Sequence, residues 1–228
     1  MVTRRALFPM ATAFGVLAAT GAASLPAHAA SGPQDTVNHA LGTLQDLQGD
    51  KEFGNAKQLF GRAQAVLIAP RIFKAGFFVG GEGGRAVMMT RGPRGWSNPA
   101  FYTVASASFG LQIGAQESEM IMFVMSQKAL AALMTNKVQF GANAGLAVAT
   151  LGSTVAGATT TNAGPDVIVW ASSSGAYAGI SLDGTLVQPQ ADANRAYYGR
   201  SLTARQIVIA HEGHNPAARP LVHAMDRL

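Results

Sequence analysis

The chain has 228 residues, no cysteine, a formal net charge of +5 and 48% hydrophobic residues. The absence of cysteine excludes disulfides, thiolate metal sites and thiol nucleophiles together. Without Arg4 and Arg5 the charge falls from +5 to +3, which is too mild to point to nucleic acid and is compatible with a surface that meets anionic lipid.

The first segment reads as a leader. Arg4 and Arg5 form a positive start, 6–23 is apolar and small, and the first acidic residue is Asp35. Ala27-His28-Ala29 fits a small-x-small cleavage site, with the cut before Ala30. The apolar run contains Pro9 and Gly15 and falls short of the ~20 residues a spanning helix needs. The division expected is therefore a signal peptide at 1–29, export to the periplasm or beyond with possible membrane association, and one domain at 30–228. Thr3-Arg4-Arg5-Ala6-Leu7-Phe8 also fits a twin-arginine leader with Leu and Phe in reversed order, so two export routes stay open. No cysteine follows the run, which excludes a lipoprotein anchor.

Helical spacing of Val37, Ala40, Leu41, Leu44 and Leu47 predicts an amphipathic helix over 36–47, capped by Asp35 or Thr36 and ended by Gly49. Asp50 opens a second, with Phe53, Ala56, Leu59, Phe60 and Ala63 on one face and Lys57 and Arg62 on the other. Ala65 to Ala69 reads as a buried strand stopped by Pro70. Strands over 76–80 and 85–91 follow, joined by the glycine turn Gly80-Gly81-Glu82-Gly83-Gly84. Alternation over 101–114 predicts a long strand with Phe101, Thr103, Ala105, Ala107 and Phe109 on one face. The run 119–125 is continuously apolar after its first residue. Ser126 caps a short helix over 127–134, and 139–150 alternates again with small residues. Strands over 166–171 and 176–182 follow. Asp183-Gly184, flanked by 181–182 and 185–187, is the clearest hairpin signal. Two C-terminal helices are expected, one capped by Ser201 and one starting at Asn215-Pro216. Helices, then many short strands, then helices give an α+β class: a curled or barrel-like antiparallel β-sheet with N-terminal amphipathic helices and short C-terminal helices.

No catalytic constellation emerges. The glycines around Glu82 lack the Gly-Lys-Ser/Thr ending of a phosphate loop and the following helix of a dinucleotide fingerprint. His211-Glu212-Gly213-His214 is one residue short of a zinc-protease spacing and has no third ligand nearby. Ser172-Ser173-Ser174-Gly175 is no nucleophile elbow. Glu117 and Glu119 flank a turn and read as solvated. The reading is a non-enzyme without cofactor or metal. Met88, Met89, Met120, Met122 and Met125 either pack a core or line a lipid pocket. The two N-terminal helices, rimmed by Lys51, Lys57, Arg62, Arg71 and Lys74, either lie in a membrane interface or cover the sheet.

Short spaced motifs run from Lys74 to Gly199: Lys74-Ala75-Gly76-Phe77, Gly80-Gly81, Gly95-Trp96-Ser97, Pro99-Ala100-Phe101, Gly110-Leu111-Gln112-Ile113-Gly114, Gly179-Ile180-Ser181-Leu182-Asp183-Gly184 and Asn194-Arg195-Ala196-Tyr197-Tyr198-Gly199. In this order they resemble the SYLF domain family, whose members bind phospholipids and, in fungi, actin. The resemblance covers 36–228. It implies a phospholipid binder that works through an N-terminal amphipathic helix; the basic rim read above, Lys51, Lys57, Arg62, Arg71 and Lys74, then supplies the lipid-facing residues, with an anionic membrane surface as the partner. Export puts actin out of reach. The alternative is a structural or stress-related envelope protein acting through protein contacts.

Overall fold

A strand that is apolar at every position has no solvent face, so it must be covered on both sides. That requirement organises the whole molecule, a computed structural model that describes residues 32–76, 79–93, 95–109, 114–135, 137–141, 145–151, 164–173, 182 and 184–228. The expected leader and the expected strand over 176–182 lie outside the described residues, apart from Leu182.

In chain order the elements are α1 (Pro33–Gly49), α2 (Phe53–Arg62), β1 (Ala65–Gly76), β2 (Val79–Gly92), β3 (Gly95–Trp96), β4 (Ala100–Phe109) and β5 (Gly114–Val124). After them come α3 (Gln127–Thr135), β6 (Val138–Gln139), β7 (Val148–Thr150), β8 (Val167–Ser173) and β9 (Leu186–Pro189). The chain closes with α4 (Ala191–Tyr198), α5 (Ala204–Val208), a 3-10 turn (Pro216–Ala218) and α6 (Arg219–Asp226). The class is α+β as expected. The strands form a curled half barrel in the order β6-β9-β4-β2-β1-β5-β8-β7, with β3 paired to β2. Neighbours are antiparallel except β7 and β8, which run parallel. That one edge makes the sheet mixed rather than wholly antiparallel.

β1 lies at the centre, and its alternate residues feed two separate cores. Val66 and Ile68 face Leu44 and Leu47 of α1, Phe60 of α2 and Leu221 and Met225 of α6. Leu67 and Ala69 face Leu130 and Leu133 of α3 and Ile207 and Val208 of α5. The same split explains the apolar run of β5: Ile121 and Phe123 join the first core, Met120, Met122 and Val124 the second.

Several expectations are corrected. Pro70 does not stop β1. Its register shifts between Ile68 and Arg71 against β2 and between Ala69 and Ile72 against β5, so the residue without an N–H falls in a bulge. The glycines at 80–84 are not a turn. They pair on both sides inside β2, Gly83 with Phe73 of β1 and with Ala105 of β4. A Cβ at Gly84 would stand 2.1 Å from the Arg71 carbonyl oxygen, so the bulge is what demands glycine there. β4 is not apolar on one face only, because Phe101 enters one core and Tyr102 and Val104 the other. The segment 139–150 is not one strand; β6 and β7 sit at opposite edges of the sheet. The cap of α5 is Thr203, whose Oγ1 accepts from the Gln206 N–H at 3.2 Å, not Ser201. α4 was not anticipated at all. A turn precedes β9, while the first strand of the hairpin expected there lies outside the described residues. Thr185 N–H donates to the Leu182 carbonyl at 2.8 Å and Gly184 takes φ +79°, while Asp183 lies outside the described residues.

Candidate surface for membrane contact

An amphipathic helix has one apolar face, and a core and a membrane compete for it. On α1, Val37, Ala40, Leu44 and Leu47 are 0–1% exposed. On α2, Ala56, Leu59 and Phe60 are buried, and the Phe60 ring meets Phe123 edge-on at 4.9 Å. Both apolar faces are therefore inside the protein. What α2 turns outward is polar: Lys57, Gln58, Gly61 and Arg62 are exposed, and so is Lys51 in the turn before it. None of Lys51, Lys57 and Arg62 takes part in an ion pair among the described residues. Asp50 and Glu52 lie beside Lys51, so three cations and two carboxylates leave one net positive charge.

Arg71 stands apart from these three. It is exposed on β1 and pairs with Glu117 of β5 through two nitrogens, the longer contact being 3.3 Å. The Arg71 guanidinium holds the Glu117 carboxyl below the usual carboxylate range. Arg71 also lies 5.3 Å from the ring centroid of Phe73, which is 47% exposed. Lys74 follows on the same strand, paired in backbone register with Glu82 and Gln116, and its side chain lies outside the described residues.

Glu117 and Glu119 are not equivalent, although both had read as solvated. Glu119 is half-buried against α1, and its Oε2 has no hydrogen-bond partner. Burial and then the Asp46 carboxylate push its pKa up to about 7. Between the ordinary value of 4.5 and about 7, the folded protein holds a proton that the unfolded chain releases. Stability must therefore fall as pH rises through that window, and the full cost is present above it. Glu119→Gln is expected to stabilise by ~1 kcal/mol at pH ~8, a figure reduced for partial solvent screening, and by nothing at pH ~4. Thermal melts at the two pH values check this.

Four of the five strand methionines form core rather than a pocket, and Met125 is partly buried against that core. Met88, Met89, Met120 and Met122 are 0–1% exposed. His211 and His214 lie in the loop between α5 and the 3-10 turn, not on a helix. Among the described residues no three His, Cys, Asp or Glu side chains group as metal ligands. No helix among them is long and apolar enough to cross a membrane.

Three of the spaced sequence motifs converge on one clamp. Asn194 of α4 is fully buried, and its Oδ1 accepts the Phe101 N–H at 2.8 Å. The Tyr198 hydroxyl donates to the Pro99 carbonyl at 2.6 Å. Trp96 N–H donates to Asp226 at 3.1 Å, and the Ser97 hydroxyl accepts the Thr90 N–H at 3.1 Å. Thus 95–101 and 194–198, far apart in the chain, meet at one joint between sheet and helices. The family model described as "Ysc84: Las17-binding protein actin regulator" matches residues 105–228, more than half of the chain. The chain belongs to the Ysc84 family, which is the SYLF resemblance of its motifs. Protein YSC84 of Saccharomyces cerevisiae is 26% identical over 190 residues, covering 77% of this chain and 41% of that protein. LAS seventeen-binding protein 3 of the same yeast is 27% identical over 188 residues, covering 76% and 41%. SH3 domain-containing YSC84-like protein 1 of Xenopus laevis is 28% identical over 168 residues, covering 72% and 50%. The chain thus spans at most half the length of these relatives. The family description and the names of these relatives are those of binding and regulatory proteins.

Proposed function

We propose that this Ysc84-family chain is an exported protein that binds anionic phospholipid surfaces through Lys51, Lys57 and Arg62, with Arg71 and Lys74 at the margin. The observation that carries the reading is the outer face of α2 and the turn before it, where cations with no ion pair among the described residues are held outward by a helix whose inner face is fixed in the core. The exposed Phe73 beside Arg71 adds an aromatic contact for the headgroup region. Each basic residue near a charged bilayer contributes ~1 kcal/mol. The carboxylates of Asp50 and Glu52 oppose this, so binding is modest. It weakens with salt, because the Debye length falls from ~10 Å at 0.1 M to ~3 Å at 1 M. Export rests on the leader ending at Ala29, and protein recovered from the periplasm should begin at Ala30.

Co-sedimentation with phosphatidylglycerol vesicles at low salt tests the surface. The variant Lys51→Glu, Lys57→Glu, Arg62→Glu is expected to lose binding while melting at the wild-type temperature, since all three side chains are exposed. Equal sedimentation of the variant and wild type contradicts the assignment. The family description as a Las17-binding actin regulator favours a second reading, action through protein contacts. Co-sedimentation with filamentous actin, with vesicles absent, separates the two.

A further inference from the structure

A buried amide that satisfies only its oxygen leaves two donors without acceptors, and such donors need a partner. Asn194 is in that position. Its Oδ1 must be the atom facing Phe101, because a backbone N–H can only donate. Its Nδ2 is therefore the other atom, and it is buried without a partner among the described residues. Asn194 lines a cleft of about 650 Å³ formed by the end of α3, Lys137, β9, the first turn of α4 and the loop before α5. That volume falls in the range of small-molecule sites.

The cleft has two chemistries. Lys137 and Arg195 supply positive charge, and the Ser201 hydroxyl is exposed beside them. Met134 and the buried Leu202 supply an apolar wall. Asp192 also lines the cleft and holds Arg195 at 3.0 Å. Two cations against one carboxylate leave one net positive charge, and the Asp192–Arg195 pair is exposed, so an incoming anion competes for Arg195 at low cost. Lys137 has no ion pair among the described residues.

We propose that this cleft binds the head of an anionic amphiphile. An oxyanion accepts from Asn194 Nδ2 and is met by Lys137 and Arg195, while a short alkyl chain lies against Met134 and Leu202. No residue of α2 lines the cleft, so this site stands or falls separately from the membrane-contact surface.

Titration of the purified protein with dihexanoyl phosphatidic acid below its micelle concentration tests it, followed by calorimetry and by the side-chain amide resonances of Asn194. Inorganic phosphate and dihexanoyl phosphatidylcholine are the comparison ligands. Phosphatidic acid should bind, shift the Asn194 amide pair, and exceed both comparison ligands at least ~10-fold, the worth of one hydrogen bond to a charged group. Lys137→Glu with Arg195→Glu, both at exposed positions, should weaken it at least ~10-fold while melting as wild type. Asn194→Asp, which keeps the acceptor and removes the donors, should weaken binding as well, at some loss of stability because it buries a carboxylate. Four results overturn the proposal. These are no binding, phosphate binding as tightly as phosphatidic acid, phosphatidylcholine doing so, or undiminished affinity in the charge-reversed variant. An Asn194 amide pair that does not move on binding removes that residue from the site.

Discussion

Gly84→Ala is expected to destabilise the protein by ~3 kcal/mol, the upper range for forcing extra atoms into a packed interior. The added Cβ would lie 2.1 Å from the Arg71 carbonyl oxygen and 3.2 Å from the Ile72 Cα. Both are backbone atoms of the central strand, so no side-chain rotation relieves the contact. β1 would have to move away from β2 at the bulge where Pro70 already interrupts the ladder. Gly83→Ala is the control. Its nearest neighbour, the Val104 carbonyl oxygen, would be 3.4 Å away, an ordinary contact. Urea denaturation of the two variants should separate them, with Gly84→Ala shifted far and Gly83→Ala little. Equal midpoints would show that the close approach at Gly84 is not real.

Phe60→Ala is expected to cost ~3–5 kcal/mol through lost burial and the cavity left behind. Phe60 is fully buried between α2 and the sheet, with its ring against Phe123. The same substitution on a helix held loosely for membrane insertion would cost little, since its apolar face would be in water already. Calorimetric melts in the absence of lipid read the difference. A large loss of stability ties α2 to the core, and a loss under ~1 kcal/mol releases it.

Sequence pattern located much of this architecture, and the places where it failed share a cause. The apolar faces of α1 and α2 were visible because a period of 3.6 leaves one-sided burial. The burial of β1 and β5 was visible because 65–69 and 120–125 are uninterrupted apolar runs. Pro70 and the glycines at 80–84 misled for one reason: each normally signals a break in local structure. Here they serve a pair of adjacent strands that meet at a bulge, which is a tertiary fact. α4 was missed because Asn194, Arg195, Tyr197 and Tyr198 show no apolar stripe. It is tied down by hydrogen bonds to 99–101, nearly a hundred residues away, and by Tyr197 packed against Phe101. The basic residues were read as facing out, and Lys51, Lys57, Arg62 and Arg71 do so. The pairing of Arg71 with Glu117 could not be foreseen, because nothing in the spacing of the two residues brings β1 and β5 together. Nor does spacing reveal Asn194, whose interest lies in a donor left over after its acceptor is used.

The proposed function makes the helices a fixed platform whose outer charges meet lipid, and hydrogen–deuterium exchange with and without phosphatidylglycerol vesicles at low salt tests that most directly. Amides of 37–47, whose side chains are packed on the sheet, should keep the same protection when vesicles are added, while those of 51–62 become slower. Loss of protection at 37–47 on vesicle binding would mean that α1 leaves the core to insert, and the platform account would be wrong.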